Sequence, residues 1–237
     1  RKRNCPVPFV EKRGGTWYNA LVNTAKKTQF RLVRRRRRTL SLSVDGTGEI
    51  VVRAPNNMRL SDIEQFVSSH ADWIAQRRAS IERARPDLSD GAVISLCGVS
   101  CTIAQGRRAR LEGDVLFLPS SERERAFVSF LRRLTRTRMT AYVEEYAARF
   151  GFSYSAVRVS SARGRWGSCN ARGDLSFSFR TAFLDENEAR YIAVHELCHT
   201  RHMDHSPAFW AEVGGIFPAY RQTRRALREK GAIMLFF

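Results

Sequence analysis

The sequence predicts an α+β protein. A mixed, β-rich N-terminal region (residues 1–120) is expected to precede a region (residues 121–237) built around a helix with an HExxH motif. Hydrophobic residues make up 43% and charged residues 27% of the 237 residues, which is typical of globular proteins. Apolar residues alternate in short segments of the first region and follow helical spacing over a long segment of the second. No apolar stretch approaches the length of a membrane span, so no membrane association is expected.

Short strands dominate the first region. Alternating and β-branched residues predict strands over residues 30–33, 40–44, 49–54, 93–96, 99–103 and 115–118. The five arginines at 34–38 are expected to continue the first strand, with half of their side chains in solvent. Ser61 is expected to cap a helix that runs to about Arg83, with Trp73 in its apolar stripe.

The second region begins after Pro119-Ser120-Ser121. Apolar residues at helical spacing predict a helix from about Glu122 to Phe150, and the next residue is a glycine suited to a helix C-terminus. Strands are expected over 156–160 and 174–180, the second with Leu175, Phe177 and Phe179 on one face.

Asp185 and Glu188 resemble a capping box at the start of the next helix. Tyr191, Ile192 and Val194 supply apolar positions along that helix. The apolar run at 232–237 is too short to span a membrane and is expected to dock on the body of the protein.

The charge of the chain is strongly positive and unevenly distributed. Lys and Arg number 41 against 23 Asp and Glu, a formal charge of +18, and residues 1–40 hold 13 basic side chains against one acid. Phosphate contact with nucleic acid through residues 1–40 is one interpretation. A solvated, Arg-rich surface is the other.

Five cysteines are scattered along the chain without a CxxC pair. This pattern does not predict a disulfide framework or a structural zinc ribbon. The chain opens Arg1-Lys2-Arg3 without an apolar segment of the kind that a secretory signal contains. A reducing, cytoplasmic location is therefore expected.

Four of the five histidines lie between residues 195 and 205. His195-Glu196-Leu197-Cys198-His199 is an HExxH motif in a predicted helix. Residues i and i+4 share a helix face, so the two imidazoles can converge on one Zn²⁺ ion. Glu196 then lies beside the ion, where its carboxylate can accept a proton from water.

A third ligand must come from beyond this helix. His202 would lie too far along a continuing helix, whereas a turn at Met203-Asp204 lets His205 return to the site. His205 has the ligand spacing of the metzincin pattern, although the glycine of that pattern is missing. Glu212 remains a competing third ligand.

Several motifs together resemble the YgjP-like metallopeptidase family, which is related to SprT-like and WLM zinc proteases. They are Arg165-Trp166-Gly167-Ser168-Cys169, the HExxH motif, and His205-Ser206-Pro207-Ala208-Phe209-Trp210. The resemblance implies a zincin-like catalytic core, with His195, His199 and His205 as ligands of one Zn²⁺ ion and Glu196 as the catalytic carboxylate. The family commonly has Asn where this chain has Ser178 and Asp204.

Residues around the motif have physical interpretations of their own. Ser206 and Pro207 are suited to the N-cap and first turn of a further helix. Arg163, Arg165 and Tyr220 are candidates for contacting the substrate or stabilising an oxyanion. Cys198 is expected to be buried rather than reactive.

The sequence therefore predicts a zinc-dependent metallopeptidase that acts on a polypeptide substrate. Water, activated by the metal, would attack the peptide bond with Glu196 as general base. One alternative is a nucleic-acid-binding protein, or a DNA-associated protease, that uses residues 1–40 and has a structural or vestigial zinc. Hydrolysis of a non-peptide amide by the same residues is a second alternative.

Overall fold

A computed structural model describes residues 19–23, by their backbone, and residues 28–237. Contacts divide the chain into two units, Arg1–Ala84 and Arg85–Phe237. The boundary between them lies earlier than the seam expected between residues 120 and 121. The reason is a hydrophobic core in the second unit, where strands before that seam pack with the helix that follows it.

The first unit contains a four-stranded sheet with the order β1-β2-β4-β3. Its strands are β1 (Asn19–Asn23), β2 (Gln29–Arg35), β3 (Ser41–Val44) and β4 (Ile50–Pro55). The pairs β1–β2 and β3–β4 are antiparallel, and β2–β4 is parallel. Strand β2 includes only Arg34 and Arg35 of the arginine run, so the strand ends earlier than expected.

The single helix expected from Ser61 to Arg83 is wrong. The chain forms α1 (Leu60–Ser69) and α2 (Ala71–Ala84), and Arg59 precedes α1 without a side-chain cap. The break lies at His70, whose Nδ1 is 2.8 Å from the carbonyl oxygen of Phe66. In a continuous helix that carbonyl would accept the His70 N–H, which instead bonds one residue later, to Val67. Trp73, expected in the apolar stripe, is exposed.

The second unit begins with a four-stranded sheet of order β5-β6-β8-β7. Its strands are β5 (Val93–Leu96), β6 (Val99–Gln105), β7 (Arg110–Glu112) and β8 (Val115–Leu118). The long helix α3 (Arg123–Phe150) follows and ends at Gly151, which adopts φ +68° as a C-terminal glycine does. Phe127, Phe130 and Leu131 of α3 pack in one core with residues of this sheet.

A three-stranded sheet of order β10-β11-β9 stands next to the HExxH helix. Its strands are β9 (Ala156–Ser160), β10 (Gly167–Cys169) and β11 (Asp174–Ser178). The central strand β11 is antiparallel to β10 and parallel to β9. Strand β10 lies in a segment that the sequence analysis left without a strand.

The strand expected over 174–180 is two residues too long. Ser178 Oγ accepts a hydrogen bond from the Arg180 N–H and begins a 3₁₀ helix over Phe179–Phe183. Leu175 and Phe177 are buried on one face of β11, as expected, and join one hydrophobic cluster. Phe179 joins the other cluster, with α3 and the second sheet.

Three helices and a short 3₁₀ segment complete the chain. They are α4 (Glu186–Cys198), α5 (Pro207–Ile216), α6 (Tyr220–Glu229) and the 3₁₀ helix Lys230–Leu235. Ala232, Met234 and Phe236 are buried, so the apolar end of the chain docks on the second unit as expected. The α+β class is confirmed, and none of the helices in the described part of the chain has the length and apolar character to cross a membrane.

Candidate metal centre

Helix α4 begins with the capping box that the sequence indicates. Asp185 Oδ1 accepts a hydrogen bond from the Glu188 N–H, and Glu188 Oε2 accepts one from the Asp185 N–H, both at 2.9 Å. These two bonds satisfy backbone donors that a helix N-terminus leaves free. The buried residues of α4 then fix the rotation of the helix, and this rotation sets the direction in which the side chains of the HExxH motif point.

His195 and His199 lie one turn apart at the end of α4, and their ring centroids are 4.9 Å apart. Helix α4 ends at Cys198, with His199 as its C-cap residue, so His202 lies beyond the end of the helix. A hydrogen bond from the His202 N–H to the Cys198 carbonyl closes the turn that follows. The chain returns at His205, whose ring centroid is 5.1 Å from that of His195 and 4.7 Å from that of His199.

These three histidines bring ligand atoms within 4.8 Å of one another, and they are the metal-binding group found among the described residues. The Nε2 atoms of His195 and His205 are 3.1 Å apart. Three imidazole nitrogens around one point are the donor set of many catalytic zinc sites. The residues present therefore fit a single Zn²⁺ ion.

The second nitrogen of each helical histidine has a partner that fixes the orientation of its ring. Tyr191 Oη lies 3.2 Å from His195 Nδ1, and the carbonyl oxygen of His202 lies 2.9 Å from His199 Nδ1. Such partners orient ligand imidazoles in metal sites. Both rings consequently present Nε2 to the centre. Tyr191 stands four residues before His195, so helical spacing contained this signal, although the sequence analysis did not use it.

Glu212, the competing third ligand, is paired elsewhere. Its Oε1 lies 2.5 Å from an Arg201 nitrogen, and its Oε2 lies 3.3 Å from His202 Nε2. It does not belong to the group of three histidines. The geometry therefore favours His205 over Glu212.

Aromatic rings form the floor of the site. Phe209 is fully buried, stacks on His199 at 4.5 Å between centroids, and meets His195 and His205 edge to face. Trp210 stacks on His205 at 5.4 Å. Helix α5 carries both rings and begins directly after His205, since Ser206 Oγ accepts from the Phe209 N–H and Pro207 occupies the first turn. The Ser206 and Pro207 expectation is confirmed.

Glu196 is buried, with only 4% of its surface exposed. Burial raises the pKa of its carboxyl to about 8, and the positive charge of Arg165 acts in the opposite direction. The carboxylate lies against the backbone of β10: a Cβ atom at Gly167 would be 2.6 Å from Glu196 Oε1. Only glycine leaves room for the carboxylate at this point.

His195 is held in its neutral form. Burial lowers the pKa of its ring to about 3, and the charges of His199, His205 and Arg224 add to this effect. The pKa of His205 is also lowered, first by burial and then by His199. Neutral imidazoles have a lone pair available for a cation, which agrees with the donor set described above.

A cavity of about 540 Å³ opens over the three histidines and Glu196. Arg165 and β10 line one side of it, and Arg224 and Arg228 of α6 line another. The guanidinium of Arg224 lies 4.3 Å from the centroid of the Trp210 ring. Arg224 was not predicted from the sequence, because nothing in the spacing of α6 connects it with the histidines.

The three residues considered as substrate or oxyanion contacts have different positions. Arg165 lines the cavity. Arg163 instead donates to the carbonyl oxygen of Phe237 at 2.9 Å. Tyr220 stacks on Trp210, and its hydroxyl oxygen accepts from Arg221 Nε at 3.1 Å. Neither Arg163 nor Tyr220 is among the residues that line the cavity, and the roles of all three stay predictions.

Two residues that differ from the family pattern have local partners. Ser178 Oγ donates to the carbonyl of Ala162 at 2.9 Å and so joins the end of β11 to the segment before β10. Asp204 Oδ1 accepts from the Ser206 N–H at 3.2 Å. An Asn side chain has an oxygen that accepts in the same way, so Asp204 preserves this turn contact.

Cys198 is buried as expected, and burial raises the pKa of its thiol to about 12.

Most of the basic segment 1–40 that was considered for nucleic acid lies outside the described residues, which begin at 19–23 and continue from 28. Within the described part, Arg34 donates to the carbonyls of Pro55, Asn56 and Met58 at 2.8–3.0 Å. Arg31 lies 3.4 Å from Glu49. Both side chains are thus engaged within the first unit.

The chain is similar in sequence to known metallopeptidases. A family model for the YgjP-like metallopeptidase domain matches residues 38–230. Among solved structures, the chain is similar to the crystal structure of the metallopeptidase zymogen of Pyrococcus abyssi abylysin. The two sequences are 23% identical, and the match covers 39% of this chain and 93% of that chain, with a TM-score of 0.37. A search of curated proteins finds no match.

Proposed function

The chain belongs to the YgjP-like metallopeptidase family, and on this premise we propose that it is a zinc-dependent peptide hydrolase with Glu196 as general base. The family membership agrees with the resemblance inferred from the sequence and with the predicted zincin-like core. The observation that carries the proposal is the convergence of three histidines beside a buried carboxylate in one open cavity.

His195, His199 and His205 would hold the Zn²⁺ ion through Nε2 atoms, with Tyr191 and the His202 carbonyl fixing two of the rings. A bound Zn²⁺ ion supplies Lewis-acid chemistry, because it polarises a carbonyl group and makes water more acidic. Three protein ligands leave a coordination position open, as catalytic zinc sites require.

Glu196 is proposed to take the proton from the attacking water and to deliver it to the leaving amine. Its burial supports this role, because desolvation raises the proton affinity of the carboxylate above that of a solvated glutamate. The close contact with Gly167 holds the carboxylate in one position. Arg165 and Arg224 line the cavity, and their charges act on Glu196 and His195, so these two arginines are proposed to stabilise negative charge on the substrate.

An extended peptide substrate is expected to bind along β10. From the sequence, the strand expected over 174–180 and its neighbour over 156–160 are both candidates for strand addition, but both edges of β11 are already paired. A peptide can add only to a free edge, and β9 and β10 are the outer strands of this sheet. Of these two, β10 borders the cavity that contains the histidines.

The decisive experiment compares the wild type with Glu196→Gln. We expect both proteins to contain one equivalent of zinc, because Glu196 does not belong to the ligand group. Only the wild type should degrade a denatured protein substrate, and the loss in the variant should be on the order of 10²-fold or more. His199→Ala, which removes a ligand, is the matched variant and should lose both zinc and activity. Equal activity in the wild type and Glu196→Gln would refute the assignment of the base.

The same assay tests the alternatives. Adding DNA examines whether the protein is a DNA-associated protease, and a steep fall of DNA affinity with salt would support phosphate contacts. Activity on non-peptide amides alone would replace the peptide substrate and keep the catalytic residues.

A cytoplasmic location remains a proposal that rests on the cysteine pattern, with Cys97, Cys101, Cys169 and Cys198 free thiols in the structure.

A further inference from the structure

A second cavity, of about 390 Å³, lies on the outer face of the three-stranded sheet. The register of the sheet places Ser168, Ser176 and Arg158 directly opposite one another on β10, β11 and β9. Residues that pair in register point to the same face. The neighbouring positions Leu175 and Phe177 are buried on the opposite face. The outer face therefore presents a polar row across all three strands.

Three arginines surround this row: Arg158, Arg165 and Arg172 line the cavity together with a single acid, Asp174. The side chain of Asp174 is only 15% exposed, and its Oδ2 accepts from Asn170 Nδ2 at 2.9 Å. Arg158 and Arg172 form only long ion pairs with it, at 3.8 and 3.9 Å, which is beyond hydrogen-bond distance. Their side chains are 66% and 85% exposed. The cavity consequently has an excess of positive charge.

Its donors are also available to a ligand. Among the described residues, none forms a hydrogen bond with the hydroxyls of Ser168 and Ser176 or with the guanidinium of Arg165. Guanidinium and hydroxyl groups around one space are the donors that bind a carboxylate, and hydrogen bonds to a charged group are stronger than those between neutral groups.

The position of the cavity indicates how a ligand reaches it. Arg165, Ser168 and Cys169 line this cavity and also the cavity over the three histidines. A peptide that lies along β10 projects alternate side chains to each face of the sheet. One set of these side chains would enter the cavity on the outer face.

We propose that this cavity, lined by Arg158, Arg165, Arg172, Ser168 and Ser176, is a substrate subsite for Asp or Glu side chains of a polypeptide. The proposal rests on the proposed function, since it assigns a specificity to the same site. A polypeptide is favoured over nucleic acid because the cavity adjoins the edge of β10, where a peptide backbone finds the hydrogen-bonding groups of a strand.

The test measures binding by calorimetry with zinc-loaded full-length Glu196→Gln, so that the peptide is not consumed. The probes are a short peptide with Glu at alternate positions and matched peptides with Gln or Lys in place of Glu. We expect the Glu peptide to bind at least about tenfold more tightly than the Gln peptide, since a charged hydrogen bond contributes about that factor. The preference should weaken as salt is added.

Two double variants with the same change in net charge locate the effect. In the Glu196→Gln background, Arg158→Gln/Arg172→Gln should reduce the affinity for the Glu peptide about tenfold and leave the Gln peptide unchanged. The control is Arg107→Gln/Arg108→Gln, which removes exposed arginines from a separate cavity of about 870 Å³. It should change neither affinity by more than about twofold. All four residues are exposed, so the fold should persist, and circular dichroism verifies this.

Equal binding of the Glu and Gln peptides, or an equal loss in both double variants, would overturn the subsite. An oligonucleotide that binds more tightly than the Glu peptide and loses affinity in Arg158→Gln/Arg172→Gln would also overturn it, in favour of a nucleic-acid site. Failure of the proposed function is distinguishable from these results. A wild type that selects the Glu peptide and cleaves no peptide refutes the hydrolase and keeps the subsite. A wild type that cleaves Glu and Gln peptides equally well refutes the subsite alone.

Discussion

At Gly167 the backbone of β10 runs directly against the carboxylate of Glu196. The space for a side chain at Gly167 is occupied by Oε1, Cγ and Cδ of the glutamate, all within 2.8 Å of an ideal Cβ. Both residues belong to motifs that the sequence shows, Glu196 to the HExxH motif and Gly167 to the motif at 165–169. Nothing in the sequence connects the two residues, because their contact joins segments that are distant along the chain.

We predict that Gly167→Ala reduces kcat/KM on a peptide substrate by about 10²-fold, because a displacement of roughly 1 Å in a catalytic group has an effect of this size. Zinc content should be unchanged, since the added methyl group meets the carboxylate and not the imidazoles. Metal analysis and steady-state kinetics on the same preparation measure both quantities.

Gly164→Ala is the matched control. A Cβ atom at Gly164 meets no atom within 4 Å, and the residue lies in the same segment before β10. Its activity should stay within about twofold of the wild type, as is usual for a surface substitution. Equal losses in the two variants would show that the segment, and not the contact with Glu196, is responsible.

The raised pKa of Glu196 has a consequence for stability. Burial raises the pKa from 4.5 to about 8 in the folded chain. The unfolded chain therefore releases this proton first, and the contribution of Glu196 to stability, present below about pH 4.5, is lost as the pH rises through about 8. In the metal-free protein, Glu196→Gln should gain free energy of unfolding relative to the wild type over this range.

Urea unfolding in chelator at several pH values checks this prediction. The gain should be near zero at pH 4 and on the order of a few kcal/mol at pH 8 or above. A difference that does not change with pH would mean that Glu196 titrates like a solvated glutamate.

At the scale of elements, α4 was predictable and β10 was not. The capping box, the apolar face and the histidine spacing of α4 all lie within one segment of sequence. Strand β10 has only three residues and exists because it pairs with β11. The end of β11 was also misplaced, since period-2 alternation continues through Phe179 while Ser178 Oγ starts a 3₁₀ helix. A tertiary hydrogen bond, from Thr135 Oγ1 to the Phe179 carbonyl, supports that change.

We predict that Asp185→Ala lowers the free energy of unfolding by about 1 kcal/mol, because it removes the oxygen that accepts from the Glu188 N–H. Zinc affinity should change little, since the histidines occupy the other end of α4. Asn187→Ala, an exposed position in the same turn, should leave stability within about 0.5 kcal/mol of the wild type. Urea denaturation of zinc-loaded protein compares the two. Equal effects would argue against the capping contribution.

At the scale of the whole molecule, the position of the domain boundary depends on contacts that composition does not reveal. Pro119-Ser120-Ser121 has the composition of a linker, yet one core cluster contains Ile103 and Leu116 from before it and Phe127 and Leu131 from after it. The seam between residues 120 and 121 is thus a loop within one hydrophobic core. We therefore propose that the catalytic region extends back to about residue 85.

Two fragments test this boundary. We predict that residues 85–237 fold cooperatively and bind zinc, because they contain both clusters of the second unit. Residues 121–237 should neither fold cooperatively nor bind zinc. Removal of the β5–β8 sheet exposes apolar surface whose burial contributes roughly 25 cal/mol per Å² to the free energy of unfolding. Thermal melts with and without zinc measure the difference. A cooperative, zinc-binding fragment 121–237 would support the boundary expected from the sequence instead.

Because Trp210 stacks on His205, the fluorescence of its indole should report changes at the three histidines. The centroid of its indole lies 5.4 Å from that of the His205 imidazole, which is exposed to solvent, and Arg224 and Tyr220 also lie against the indole. Any change at that imidazole alters the electronic surroundings of the indole. The intrinsic tryptophan fluorescence of the unlabelled chain should therefore change when a metal ion binds the three histidines. An open-shell ion such as Co²⁺ should quench the fluorescence strongly, and the fluorescence should recover when Zn²⁺ displaces that ion.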